Sequence, residues 1–308
     1  MMKIMITLVL SLMLSPAMAA GAAPAKLGHN PANLQLASVS AMVVDADTGE
    51  VVYQKYSDIV KPMASLTKVM TAMVVLDSKQ SLRDIIRLSQ ADRKAIHNYY
   101  SRIRVDSELP RGEVLRLALM SSENLAAASL ARNFPGGTTA FVAKMNAKAK
   151  ALGMKNTHYV DSSGLSHHNV STAADLVKLV GAAAKYPEIA EYSTTATHTA
   201  NFSRPNYRLA YVNTNSLVRY KRWDVAMSKT GYLNEAGRCL VMKANVDGRS
   251  LLFVMLDSFG KTSPIGDAGR IKRWLESGKG GTVASAAQVY QKKKVSEYLA
   301  GRTTASIR

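Results

Sequence analysis

One cysteine, two tryptophans and five phenylalanines in 308 residues leave this chain little with which to staple or anchor itself. With Cys239 alone no internal disulfide can form, so stability must come from an apolar core, which a 47% hydrophobic composition can supply. Cys239 lies in the strand-like run Arg238-Cys239-Leu240-Val241-Met242 and reads as a buried apolar residue, not a nucleophile. Acidic residues are also scarce: 22 Asp plus Glu stand against 40 Lys plus Arg, a formal net charge of +18. That excess favours anionic partners such as nucleic acid, acidic lipid headgroups or acidic envelope polymers. His-Glu-x-x-His is missing, and the adjacent His167 and His168 of a loop rarely converge on one metal. A zinc peptidase is therefore disfavoured, and no metal or other cofactor is expected.

Long apolar runs are confined to the N-terminus. Lys3 is followed by the apolar stretch Ile4 to Leu14 and then by Ser15-Pro16-Ala17-Met18-Ala19. The run is too short to span a bilayer, and Ala17 and Ala19 give the small-x-small pattern of a signal-peptide cleavage site, so residues 1–19 read as a signal peptide cut after Ala19. No residue after that site offers the cysteine that lipid attachment would need, and no later stretch approaches the ~20 apolar residues of a membrane span. The mature protein is expected to be soluble and outside the cytosol. Export removes nucleic acid from the list of partners and leaves weak association with anionic envelope surfaces as the expectation.

Residues 20–36, rich in Ala, Gly, Pro and Asn, read as a flexible leader. Ser40 to Val44 and Val51 to Tyr53 predict a hairpin around a Gly-containing turn. After Pro62, the segment Ser65 to Leu76 predicts a helix buried on most sides. Glu113 to Arg132 predicts a second helical run broken at Ser121-Ser122-Glu123-Asn124. Helices follow over Thr138 to Leu152 and, after a Thr172-x-x-Asp175 cap, over Ala173 to Lys185. Trp223 to Ser228, Cys239 to Asn245 and Leu251 to Leu256 predict antiparallel strands, and Pro264 to Ser277 a closing helix. Strands at both ends with helices between imply one α+β domain over residues 37–277 whose terminal segments share a sheet. Residues 278–308, with Lys292-Lys293-Lys294, read as a solvated basic C-terminal tail.

A serine hydroxyl needs a base held against it before it can attack a carbonyl. Ser65 and Lys68 stand at i and i+3, which on a helix puts hydroxyl and amine on one face, and apolar surroundings would lower the lysine pKa enough to make it a proton acceptor. Spacing alone decides little, because Ser258-Phe259-Gly260-Lys261 matches it too. That copy contains glycine and follows a strand, so it lacks the helix. Two further patterns strengthen the first: Ser122-Glu123-Asn124 offers a hydroxyl for proton relay and an amide for peptide groups. In Lys229-Thr230-Gly231, at the end of an apolar strand, Lys229 and Thr230 can engage a carboxylate while Gly231 permits close approach.

Ser65-Leu66-Thr67-Lys68, Ser122-Glu123-Asn124 and Lys229-Thr230-Gly231 resemble the Ser-x-x-Lys, Ser-x-Asn and Lys-Thr-Gly motifs of the serine penicillin-binding proteins. Ala64 to Asp77, Leu119 to Ala131, Phe141 to Asn156, Asp161 to Asp175 and Lys229 to Met242 are similar to the low-molecular-mass D-alanyl-D-alanine peptidases, and within these most of all to the endopeptidases. The resemblance implies a β-lactamase/transpeptidase-like fold with an antiparallel sheet flanked by helices, a periplasmic location, peptidoglycan stem peptides and cross-links as substrates, and β-lactams as covalent inhibitors. It implies Ser65 as the acylated nucleophile, Lys68 as base and Ser122 as proton relay. Asn124, Lys229, Thr230 and Gly231 would bind substrate, with the N–H groups of Ser65 and Tyr232 as the oxyanion hole. A β-lactamase is disfavoured because no Glu-x-x-Leu-Asn segment is present to position a hydrolytic water. A non-catalytic penicillin-binding sensor is disfavoured by the lack of a span after the signal. Endopeptidase is preferred over carboxypeptidase because the chain lacks the long, amphipathically anchored C-terminal extension of many carboxypeptidases.

Overall fold

The computed structural model describes residues 29–97 and 99–305, so the expected signal peptide and the start of the leader lie outside the described residues. In chain order the strands and helices are β1 (Ser38–Asp45), β2 (Val51–Lys55), β3 (Lys61–Pro62), α1 (Thr67–Asp77), β4 (Ile85–Arg87), α2 (Gln90–Ala95), β5 (Glu108–Pro110), α3 (Arg111–Met120), α4 (Asn124–Arg132) and α5 (Gly137–Ala151). They continue with β6 (Val170–Ser171), α6 (Ala173–Ala183), α7 (Pro187–Ser193), β7 (Thr197–Phe202), β8 (Tyr207–Val212), α8 (Ser216–Arg219), β9 (Asp224–Leu233), β10 (Gly237–Val246), β11 (Arg249–Ser258), α9 (Ser263–Ser277) and α10 (Ser285–Ala305).

The main sheet has five strands in the order β2-β1-β11-β10-β9, each neighbouring pair antiparallel, so the first and last strands of the chain do share a sheet. Its central strands are nearly continuous apolar runs because both faces are covered, and alternation assigns each residue a side. Val241, Leu252, Val254 and Leu256 pack into the helical core with α1, α3, α4 and α6. Their chain neighbours Leu240, Met242, Leu251, Phe253 and Met255 pack with Ala268, Ile271, Trp274 and Leu275 of α9 on the opposite face. Cys239 is buried on the helical face, where burial pushes its thiol up to about 12 and leaves it an apolar filler. Strand β9 forms one edge of the sheet, and its free side borders the helical layer.

The expected helices form with shifts of a few residues. Thr172 Oγ1 accepts from the Asp175 N–H at 3.1 Å and caps α6. The α3–α4 break falls where Ser122 has a φ of +63°, a left-handed conformation that no serine continues a helix through. The β7–β8 hairpin, with its isolated bridge from Ser203 to Glu108, lies in a stretch for which no element is predicted from the sequence.

Both chain ends correct an expectation. The last part of the leader packs: Leu34 and Leu36 are buried, and the Trp274 indole N–H donates to Asn30 O at 3.2 Å. Residues 278–308 hold α10, which lies against β1 and is no solvated tail. Val283 and Ala287 bury against Ala37, and the hydroxyls of Tyr290 and Tyr298 donate to Asp257 at 2.5 and 3.1 Å. The helix is held by tyrosine hydroxyls and small residues, so it carries no broad apolar stripe for periodicity to detect.

Candidate active site

Ser65 does not begin on an α-helix. It occupies a one-turn 3-10 helix, Ala64–Leu66, that runs into α1. In 3-10 geometry residues i and i+3 eclipse, so this turn aligns Ser65 and Lys68 more closely than an α-helix would. Lys68 is wholly buried, and its Nζ lies 2.9 Å from Ser65 Oγ, 2.7 Å from Asn124 Oδ1 and 2.6 Å from the Ser163 carbonyl oxygen. Burial holds its pKa down at about 7, against the opposing pull of Asp161 and Glu123.

The arrangement dictates what a neutral Lys68 does. An ammonium group has three N–H donors for these three oxygens, whereas a neutral amine has two donors and one lone pair. Two of the oxygens, Asn124 Oδ1 and Ser163 O, can only accept, so they take the two N–H bonds. The lone pair is left facing Ser65 Oγ, which is the partner with a proton to give.

The loop holding Ser163 is itself fixed. Asp161 accepts from the N–H groups of Ser163 and Gly164 at 2.6 Å and of Ser166 at 2.9 Å. Gly164 has a φ of +78°, and a Cβ there would stand 2.0 Å from Ala64 O, so only glycine lets the loop close on the nucleophile turn. Ala64 also has a positive φ, +48°, and its carbonyl accepts from Thr67 Oγ1 at 2.8 Å. Two non-glycine residues beside the reacting atoms, Ala64 and Ser122, thus hold strained conformations costing about 1–3 kcal/mol each, sustained by this packing.

Register on the edge strand divides the third motif between two faces. Lys229 pairs with Val241 and Gly231 with Cys239, both on the helical face, while Thr230 pairs with Leu240 on the α9 face. A Cβ on Gly231 would come within 3.1 Å of Ser65 N, so its absence is what brings β9 up to the nucleophile. Lys229 is buried, and its Nζ donates to Thr230 O at 2.8 Å. Burial first, and the like charge of Lys68 second, hold its pKa well below the usual lysine value. Thr230 Oγ1 donates to Thr214 Oγ1 at 2.7 Å.

Ser65, Ser122, Asn124, Thr230, Gly231 and Tyr232 all line one cavity of about 540 Å³. The structure therefore gathers every candidate residue at one place, with Lys68 and Lys229 beneath its wall. By contrast Ser258, of the duplicate spacing, ends β11, and its hydroxyl bonds that of Ser38 at 2.6 Å. Sequence reasoning missed Ser163 and Asp161. Asp161-Ser162-Ser163-Gly164 carries a turn signature, but nothing in it signals that a backbone carbonyl will meet a lysine far away in the chain.

Residues 26–260 match the Peptidase S11 family, D-alanyl-D-alanine carboxypeptidase. The chain belongs to this family. Among its relatives, a D-alanyl-D-alanine endopeptidase of Pseudomonas aeruginosa is 48% identical over 98% of this chain and 96% of its own. A D-alanyl-D-alanine endopeptidase of Escherichia coli is 45% identical over 97% and 96%. The crystal structure of the Streptomyces K15 DD-transpeptidase superposes with a TM-score of 0.74 at 27% identity, covering 79% of this chain and 98% of that one. The antiparallel sheet and its helical layers are thus the penicillin-binding transpeptidase fold, and the S11 peptidases to which the chain belongs are serine hydrolases.

Proposed function

We propose that the chain is an exported D-alanyl-D-alanine endopeptidase that cuts D-alanyl-diaminopimelate cross-links of peptidoglycan through an acyl-enzyme on Ser65. The observation that carries this is the Lys68 amine, buried, lowered to about 7 and left with its lone pair toward Ser65 Oγ. Lys68 takes the hydroxyl proton as Ser65 Oγ bonds to the D-alanyl carbonyl carbon. The Ser65 N–H, at the head of a helical turn, and the Tyr232 N–H on the adjoining strand stabilise the oxyanion. Ser122, whose Oγ has no hydrogen bond among the described residues, relays the proton taken up by Lys68 to the leaving amine, which returns Lys68 to its neutral form. Water then releases the acyl group, Lys68 again accepting the proton. Asn124 holds Lys68 and the substrate amide, Lys229 contributes positive field, and Thr230 binds the carboxylate beside the leaving amine. A β-lactam presents the same reactive carbonyl and would acylate the same serine.

The endopeptidase preference is supported by the two relatives of that name, which align with the chain almost end to end. The carboxypeptidase reading remains the second, on the family description. Mature protein incubated with purified cross-linked and uncross-linked muropeptides separates them: dimers should fall to monomers by mass, and release of terminal D-alanine alone would overturn the endopeptidase reading. For location, we propose that residues 1–19 direct export to the periplasm; no helix among the described residues is long and apolar enough to cross a membrane.

A base lowered to about 7 also fixes a pH profile. Only neutral Lys68 accepts the proton, so acylation should rise about tenfold per pH unit on the acid side and level off above the lysine pKa. Labelling rates with a fluorescent penicillin across pH 5 to 9, roughly, give the test. A flat profile would remove Lys68 from the role of base.

A further inference from the structure

Past the catalytic atoms, the cavity continues along the α9 face of β9. Thr230, Tyr232 and Arg238 share that face, because Tyr232 pairs with Arg238 and Thr230 with Leu240. Arg219, ending α8, and Lys261, just before α9, complete the lining on this side. No aspartate or glutamate lines the cavity, and none of these three cations forms an ion pair among the described residues, as Arg111, Arg116, Arg132 and Arg249 do elsewhere.

The guanidiniums are held in place without being neutralised. Arg238 lies over the Tyr232 ring at 3.6 Å from its centroid, and Arg219 lies 5.0 Å from the centroid of Tyr220. Arg219 Nε is buried with no hydrogen-bond partner. A buried N–H without an acceptor is left uncompensated. The fork of a guanidinium matches a carboxylate in particular.

The fragment that leaves when a cross-link is cut is a whole second stem peptide. It bears a carboxylate beside the leaving amine and further carboxylates on its γ-linked glutamate and its C-terminus. The fragment that leaves in a carboxypeptidase reaction is one alanine with one carboxylate, the group assigned above to Thr230. We propose that Arg219 and Arg238, with Lys261 adding to the positive field, form a subsite for the additional carboxylates of the second stem peptide and so direct the enzyme to cross-links. The assignment rests on the endopeptidase reading above.

The double variant Arg219→Gln/Arg238→Gln tests it, measured on a muropeptide dimer, on the same dimer with the second stem's additional carboxylates amidated, and on a pentapeptide ending in D-alanyl-D-alanine. The ratio of kcat/KM for dimer to that for pentapeptide should fall about tenfold, chiefly through KM, and the loss should shrink to about twofold on the amidated dimer. Arg219→Lys/Arg238→Lys, which keeps the charge, should restore most of the ratio and shows that the fold tolerates change here. Equal losses on all three substrates, or an unaltered ratio, would overturn the subsite. Failure of the unmodified enzyme to cut any dimer would instead overturn the endopeptidase reading on which it rests.

Discussion

Lys68→Ala should slow acylation of Ser65 by penicillin by about 10²–10⁴, the usual worth of a positioned general base. The loss follows from the three contacts of the amine: once it is gone, no other group among the described residues bonds Ser65 Oγ while donating to Asn124 Oδ1 and Ser163 O. The fold should persist, because the lysine opposes folding. Its folded pKa of about 7 lies below its ordinary 10.5, so between those values the unfolded chain holds a proton that the folded one releases. Stability contributed by this group therefore rises with pH through that window, and below it the full cost of burying the charge is present. Melting temperature and acylation rate should consequently part company in Lys68→Ala. Retention of wild-type acylation would show that another base serves Ser65, and Lys229, the second buried lysine of the site, would be the first to examine.

Lys61→Ala should be the most destabilising single change outside the site, by about 3–5 kcal/mol. Lys61 and Asp257 are both fully buried with Nζ and Oδ2 3.3 Å apart, and the ammonium lies 3.4 Å from the Tyr298 ring centroid. Burial lowers the lysine to about 8, with Asp257 pulling the other way, so at neutral pH Lys61 keeps its charge beside the Asp257 carboxyl group. Removing the cation leaves Asp257 buried with the Tyr290 and Tyr298 hydroxyls as its remaining side-chain hydrogen-bond partners among the described residues. The melting temperature should fall on the order of 10 °C for a chain of this size. Replacing both partners, Lys61→Met with Asp257→Leu, should recover much of the loss, because the larger penalty comes from an orphaned charge and not from a missing bond. A double variant no more stable than the single one would contradict that account. The same pair ties α10 to the strand leading into the nucleophile turn, so the C-terminal helix belongs to the structural core of the enzyme.

What could be seen in the sequence was local or periodic. The i, i+3 spacing of Ser65 and Lys68 needs only one turn of chain, and the alternation in β9 to β11 follows from a sheet covered on both faces. Gly231 could be assigned its close approach because a strand meeting a nucleophile leaves no room for a side chain. What stayed hidden depends on contacts distant in the chain. The Ser163 carbonyl is a backbone atom and leaves no trace in residue type, and Arg219, Arg238 and Lys261 look like any surface cations until the fold sets them around one cavity. The helix α10 escaped for a different reason: it docks through two tyrosine hydroxyls and small side chains, a pattern that hydropathy does not register. The duplicate Ser258-x-x-Lys261 spacing shows the limit from the other side, since Ser258 serves the sheet while its lysine lies at the cleft.

The most direct measurement is the site of the covalent bond. The mature protein, exposed to penicillin, digested and mapped by mass spectrometry, should carry one acyl group, on the peptide containing Ser65. Ser65→Ala should carry none, and Ser258→Ala should label as the parent does. An adduct on Ser122, on Ser258 or on any residue other than Ser65 would contradict the account.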